Sequence, residues 1–247
     1  MNFILNNIIF FWKLKKFLFL NKNLQKLGAA TFNIKNINFL ISKKKFNILF
    51  VQECFREFDS ILPNNKKLFI HNQIQVLCKP IIFNFINIYI DSIYFIFEKI
   101  TFKKDNWKSP ILGAKGIGFE STVKNLEISQ ITIFYLFGNK KLYIPILEIT
   151  YGLERIFFIF YTKIFYNEKY FSINNFFETK NIKILIYIYK KFFSCYNKKN
   201  FKISYKILLK ISNLFNVFDN LYYNKNYNRI KILILINKLS EKIIEKI

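Results

Sequence analysis

Two stretches of the chain concentrate the residue types that hold anions and flat ligands. Ile149-Thr150-Tyr151-Gly152-Leu153-Glu154-Arg155 closes one segment and opens an apolar run, Ile156-Phe157-Phe158-Ile159-Phe160. Glycine has no Cβ, so a planar ligand can lie against the backbone at Gly152. The guanidinium of Arg155 presents a planar fork of donors that matches phosphate oxygens. Upstream, residues 105–120 read DNWKSPILGAKGIGFE, with Gly113, Gly116 and Gly118 among the six glycines of the chain.

These residues sit in a chain of 247 residues, enough to bury a substantial core. Its net charge of +24, from 39 basic and 15 acidic side chains, favours polyanionic partners. The composition is skewed, however. Lys, Asn, Ile, Phe and Tyr abound, and their codons are rich in A and T, while Ala, Gly, Pro and Arg are scarce. Drift in base composition therefore supplies most of the charge, and RNA binding the remainder. A Gly, Arg or Trp that persists against this skew marks a place where it is needed: Arg56, Arg155, Arg229, Trp12, Trp107 and the glycines. Cys54, Cys78 and Cys195 form no CxxC pair, and a single histidine excludes a multi-His metal site. Unpaired cysteines without a secretory leader pattern point to a reducing, cytoplasmic location. No uninterrupted apolar run reaches the roughly 18 residues of a membrane span, so no membrane partner is expected.

The elements that must position these groups follow from periodicity. Residues 2–20 read as an amphipathic helix and 28–31 as a turn of small residues. Residues 46–52 read as a strand, 59–67 as a loop and 69–78 as a second strand, the two forming an antiparallel pair. Period two places His71, Gln73 and Gln75 on one face of the second strand. A helix is expected within 82–99, strands over 119–137 and 142–150, a helix after Arg155, a loop near 170–181 and helices beyond it. Strands early and helices late predict an α+β fold. Residues 1–165 would form the catalytic domain and residues 166–247 a C-terminal helical region.

The stretch from Asp105-Asn106-Trp107 through Pro110, Leu112-Gly113-Ala114, Gly116, Gly118 and Glu120 resembles the α chain of bacterial heterotetrameric glycyl-tRNA synthetase. The likeness resumes at Glu127, Gln130 and Thr132 and ends in the run from Glu148 to Arg155. Weaker matches lie at Trp12, Gly28-Ala29-Ala30-Thr31, Val51-Gln52 with Arg56, Gln73-Ile74-Gln75, Lys79-Pro80, residues 215–219 and Arg229; residues 160–200 look shortened. The resemblance implies a class II synthetase-like antiparallel sheet flanked by helices, not a Rossmann fold. It implies that ATP and Mg²⁺ are used to form glycyl-adenylate and that glycine then passes to tRNA(Gly). Its partners would be a second α chain and a separate β chain, in an α2β2 tetramer.

On that resemblance, Arg56 and Arg155 are the catalytic cations. Arg56 would touch both the α-phosphate and the glycine carboxylate, and Arg155 the adenine or γ-phosphate. ATP binding would involve Arg56, Gln73, Gln75, Glu127, Gln130, Gly152 and Arg155, with Glu127 holding Mg²⁺. Glycine would meet Thr31, Trp107, Glu120, Glu148 and Thr150; Glu148 would face the ammonium and Trp107 would exclude larger side chains. No role carries over to His71. Read as a plain sequence neighbour, Arg155 pairs instead with Glu154. The chain departs from the family pattern at Lys104, Lys108, Lys115, Phe119 and Phe134-Tyr135-Leu136, and its loop after Arg56 lacks arginines. The alternative is a decayed synthetase module that binds RNA through its basic surface.

Overall fold

In a computed structural model, the structure describes residues 1–33, 39, 42–55, 68, 70–109, 112–161, 180–221 and 226–246. The elements in chain order are α1 (Asn2–Leu14), β1 (Leu18–Leu27), a 3-10 turn (Ala30–Phe32), β2 (Phe46–Phe55), β3 (Ile70–Lys79), α2 (Phe85–Ile93), β4 (Thr101–Lys104), β5 (Lys108–Ser109), β6 (Ala114–Val123), β7 (Leu126–Phe137), β8 (Lys140–Gly152), α3 (Leu153–Tyr161), α4 (Lys180–Asn197), α5 (Phe201–Leu221) and α6 (Asn226–Ile244). The strands form one sheet in the order β1-β2-β3-β8-β7-β6-β4, with β5 pairing β6. Only β1 and β2 pair in parallel among these strands. The α+β class and the antiparallel β2–β3 pair are as the sequence predicts. The loop 59–67 and the boundary at 165 fall outside the described residues, as does most of the loop 170–181.

Strand alternation sends neighbouring residues to opposite faces, and two cores result. Leu49, Ile74, Val76, Ile131, Leu147, Ile149 and Tyr151 point to one face, where they meet Ile4, Ile8 and Trp12 of α1, Tyr89 and Ile93 of α2, and Ile156 of α3. Ile48, Phe50, Leu77, Phe134 and Ile146 point to the other, against Phe192 of α4, Tyr205, Leu208 and Ile211 of α5, and Ile236, Leu239 and Ile243 of α6. The sheet and the C-terminal helices thus share one continuous apolar cluster.

The first helix is shorter than the predicted 2–20. It stops at Leu14, and β1 begins at Leu18. The stop is a left-handed closure at Lys16 (φ 63°). Lys16 N–H donates to Lys13 O at 2.9 Å and Phe17 N–H to Trp12 O at 3.0 Å, the paired bonds of a Schellman ending. The Phe17 ring then packs on Trp12 at 4.7 Å between centroids. Glycine usually occupies the left-handed position, and in this skewed composition a lysine does so instead, which hides the helix end from the sequence.

Trp12 is fully buried, and its indole Nε1–H donates to Tyr151 Oη at 3.0 Å. Ser92 Oγ lies 2.7 Å from the same hydroxyl. Tyr151 belongs to β8 between Thr150 and Gly152, so this buried cluster braces from behind the strand that carries the site. A non-glycine residue in the left-handed region carries a strain of about 1 kcal/mol. Lys16→Gly should therefore raise the urea midpoint or the melting temperature; a lowered midpoint would show that the closure at Lys16 carries no strain.

Candidate active site

The cross-strand register assembles the polar floor. Glu120 on β6 pairs with Gln130 on β7, Gln130 with Thr150 on β8, and Thr150 with Gln75 on β3, so four of the expected residues stand in one row. In the adjacent row Gly118 pairs with Thr132, and Thr132 with Glu148. On the other side, Gly152 pairs with Gln73, and Gln73 with Gln52. These residues share the sheet face whose apolar half is covered by α4, α5 and α6. The polar half is the candidate site.

Glu148 is its centre. Its side chain is buried, with 3 % exposure. Gln75 Nε2 donates to one carboxylate oxygen, and Thr31 Oγ1 donates to the other at 3.1 Å. Thr150 Oγ1 donates to Gln75 Oε1 at 3.1 Å, which fixes the orientation of that amide. Thr31 reaches in from the 3-10 turn, and the floor holds that turn at three points. Ala30 N–H donates to Gln73 Oε1 at 3.1 Å, Thr31 to Glu148, and Asn33 Nδ2 to Gln52 Oε1 at 3.0 Å. Burial pushes the Glu148 carboxyl up to about 8, with the Thr31 hydrogen bond opposing.

Trp107 packs on the same sheet face, where its ring meets Phe134 of β7 edge-on at 5.1 Å. Its segment lies flat on β6 at Gly118, which has no side chain, whereas the bare Gly116 makes room for Thr132 of β7. A Cβ on Gly118 would stand 2.5 Å from Asp105 O, and one on Gly116 would stand 2.4 Å from Thr132 Cγ2. Asp105 N–H donates to Gly118 O and Gly116 N–H to Trp107 O, both at 2.9 Å. Glu120, expected in the glycine pocket, lies at the outer end of its row and bridges Lys103 at 3.1 Å. Two strand spacings, about 10 Å, separate it from β8.

At the other end, α3 begins directly after Gly152, and the Arg155 side chain runs beside that glycine, its Cδ 3.8 Å from where a Cβ would stand. Arg155 does not pair with Glu154. Its Nη1 donates to Glu127 Oε2 at 2.6 Å and to Glu127 O at 3.2 Å. Glu154 points about 100° away around the helix and holds Asn72 instead, accepting from its backbone N–H at 2.8 Å and its Nδ2 at 2.9 Å. Burial raises the Glu154 carboxyl while these hydrogen bonds oppose it. The Arg155–Glu127 pair is partly exposed, 29 % and 38 % for the two side chains. Such a pair contributes at most about 1 kcal/mol, so Arg155 can exchange a carboxylate for a phosphate at low cost.

The family model described as "Glycyl-tRNA synthetase alpha subunit" matches residues 1–247. The chain belongs to this family. A relative in Coprothermobacter proteolyticus, the glycine–tRNA ligase alpha subunit, is 35 % identical over 137 residues, 53 % of this chain and 47 % of that one. The chain thus spans about half the length of the curated relative it matches. The solved structure of Desulfitobacterium hafniense PylSc, a pyrrolysyl tRNA synthetase, overlays with a TM-score of 0.45 at 9 % identity, over 65 % of this chain and 67 % of that one.

Within this synthetase α-subunit fold, the expected residues fall into three groups. Thr31, Gln75, Glu148 and Thr150 form one hydrogen-bonded cluster, with Gln73, Gln130 and Trp107 around it. Gly152, Arg155 and Glu127 form a second group at the strand ends. Glu120 stands apart on Lys103, and Arg56 lies outside the described residues. No described group of three His, Cys, Asp or Glu side chains could hold a metal ion. Among the described helices, none is long and apolar enough to cross a membrane. Three positioning contacts were not legible beforehand: Asn33 on Gln52, Asn72 on Glu154 and Lys103 on Glu120. Each joins residues distant in sequence, and only the Lys103–Glu120 pair carries a charge pattern that a known β4–β6 pairing would have exposed.

The Glu148 shift has a stability consequence. Its folded value lies above the unfolded one of 4.5, so the native state binds more protons between these limits. The carboxyl costs nothing below the lower value, and its cost grows as pH rises towards about 8. Glu148→Gln removes the ionisation and keeps the shape. Its stability relative to the parent chain should rise steadily from pH 5 to pH 8 in urea titrations. A pH-independent difference would contradict a buried, titrating Glu148.

Proposed function

We propose that the chain is the catalytic α chain of a glycine–tRNA ligase, using ATP to activate glycine and passing it to tRNA(Gly). The observation that carries this reading is the sequestered Glu148 carboxylate, gripped by Thr31 and Gln75 beside the Trp107 wall. An ammonium group is the natural partner of such a carboxylate, since charge pairing replaces the lost hydration. Trp107 is read as a wall that admits hydrogen and clashes with any larger side chain, which would select glycine by exclusion.

In the activation step a glycine carboxylate oxygen attacks the α-phosphorus of ATP, the bond to the bridging oxygen of the β-phosphate breaks, and pyrophosphate leaves. The nucleophile is already anionic, so positioning and charge neutralisation supply most of the catalysis. Arg155 is assigned to the adenine or γ-phosphate end, above Gly152, after release from Glu127. Arg56 is assigned to the α-phosphate and the glycine carboxylate. Gln73, Gln75, Gln130 and Thr150 present neutral donors and acceptors along the floor. Thr31 fixes the carboxylate that faces the ammonium, and Glu120 is kept as a more distant lining residue. Glu127 would be the carboxylate offered to a Mg²⁺ bound with the triphosphate, and that ion would supply further neutralisation of the phosphate charge. In the second step the terminal adenosine hydroxyl of tRNA attacks the glycyl carbonyl and AMP leaves.

The reading also includes a separate β chain, an α–α dimer within an α2β2 assembly, a cytoplasmic location, and division into a catalytic part at 1–165 and a helical part at 166–247. Arg155→Ala should reduce glycine-dependent ATP–pyrophosphate exchange at least a hundredfold, as loss of a single transition-state charge contact of about 3 kcal/mol does. Exchange at the parent rate would remove Arg155 from the reaction.

A further inference from the structure

We propose that Asn139, at the tip of the β7–β8 hairpin, is a positioning residue for the Trp107 wall and acts by fastening that wall to α6. The inference rests on the reading of Trp107 as the element that excludes side chains.

On the wall side, the hairpin tip holds the turn that leads from Trp107 into β6. Gly138 N–H donates to Leu112 O and Asn139 N–H to Gly113 O, both at 2.9 Å. Leu112 N–H donates to Ser109 Oγ at 3.3 Å, and the Trp107 carbonyl is held by Gly116 N–H. On the helix side, Asn139 Nδ2 donates to Asn237 Oδ1 at 2.6 Å and to Glu241 Oε1. Lys140 Nζ adds an ion pair to Glu245 at 3.0 Å. One asparagine therefore ties the turn behind the wall through its backbone and ties α6 through its side chain.

The glycines mark the same place. Gly113 (φ 56°) has no room for a Cβ, which would stand 2.7 Å from Asn139 N. Gly138 (φ 60°) is pressed against α6, where a Cβ would stand 2.7 Å from Ile244 Cδ1. Gly118 lets the Trp107 segment lie on β6, where a Cβ would stand 2.5 Å from Asp105 O. Three of the six glycines in a glycine-poor chain thus serve this one junction. Asn139 itself has φ 58°, a left-handed position that asparagine tolerates better than most residues. The consequence is that α6, about a hundred residues further along the chain, sets how firmly the wall stands. A wall that yields by a fraction of an ångström admits a methyl group, and discrimination against one methyl group is easily lost.

The test measures ATP–pyrophosphate exchange with glycine and with L-alanine, on the full chain purified with whatever subunit accompanies it. Asn139→Gly keeps the left-handed turn and deletes the side-chain tie; Asn237→Ala with Glu241→Ala removes both acceptors from the helix and leaves the hairpin untouched. Each change should lower the glycine-to-alanine ratio of kcat/KM about fivefold, the worth of one net hydrogen bond. Combining the hairpin and helix changes should lower it no further than the larger separate effect. Acrylamide quenching gives a second readout independent of turnover. Of this chain's two tryptophans Trp12 is fully buried, so the difference in quenching between variant and parent reports on Trp107, and quenching should increase in both variants. Trp107→Ala separates the two ideas. If it lowers the ratio while the two tie variants change neither ratio nor quenching, the fastening is overturned and the wall stands. If Trp107→Ala itself leaves the ratio unchanged, the wall reading fails and the inference falls with it.

Discussion

A single carboxylate removed from water organises this protein. Glu148 lies on the fourth strand of the sheet path, and nothing else in its row could neutralise it. Burying a charge of this kind costs several kcal/mol unless it is paired and hydrogen-bonded. The fold meets that cost in part with a threonine from a distant turn and a glutamine from the neighbouring strand. It leaves the rest unmet, which is why the carboxyl stays protonated well above its ordinary range. A site poised in this way is empty of charge until a cation enters. In the proposed function that cation is the ammonium of glycine, and its arrival changes the ionisation of the site that receives it.

The remainder of the architecture serves the need to hold that group still and dry. The sheet separates two cores. One, braced by α1, α2 and α3, fixes β8 from behind through Tyr151 and Trp12. The other occupies the same face as the site, so the C-terminal helices end where the polar floor begins. The site is consequently bounded by a packed apolar cluster on one flank and by exchangeable polar contacts on the other. Arg155 belongs to the exchangeable side: its partner is partly exposed and weakly held, as its proposed uptake of phosphate requires.

Much of the floor was legible in the sequence because strand alternation is strict. Gln73 and Gln75 had to share a face, and the glycine-Glu-Arg run had to close a strand and open a helix. The ion pair of Arg155 was not legible as a neighbour contact, since adjacent helical residues point about 100° apart. Its partner lies on β7, 28 positions earlier. The end of α1 was hidden because lysine stands where glycine usually signals a stop. β1 was hidden because Lys and Asn are spread so evenly that its mixed residues carried no period. The tie from Asn139 to α6 depends on how the last helix docks, and no local pattern encodes that.

The central claim is that glycine binds by turning a buried neutral carboxyl into a charged one. Titration calorimetry of glycine binding at pH 7, repeated in buffers of different ionisation enthalpy, reads that directly. An ammonium on Glu148 drives its proton off, so close to one proton should be released per glycine bound, and Glu148→Gln should abolish the release. Heats that are identical in every buffer, with glycine still bound, would contradict the account.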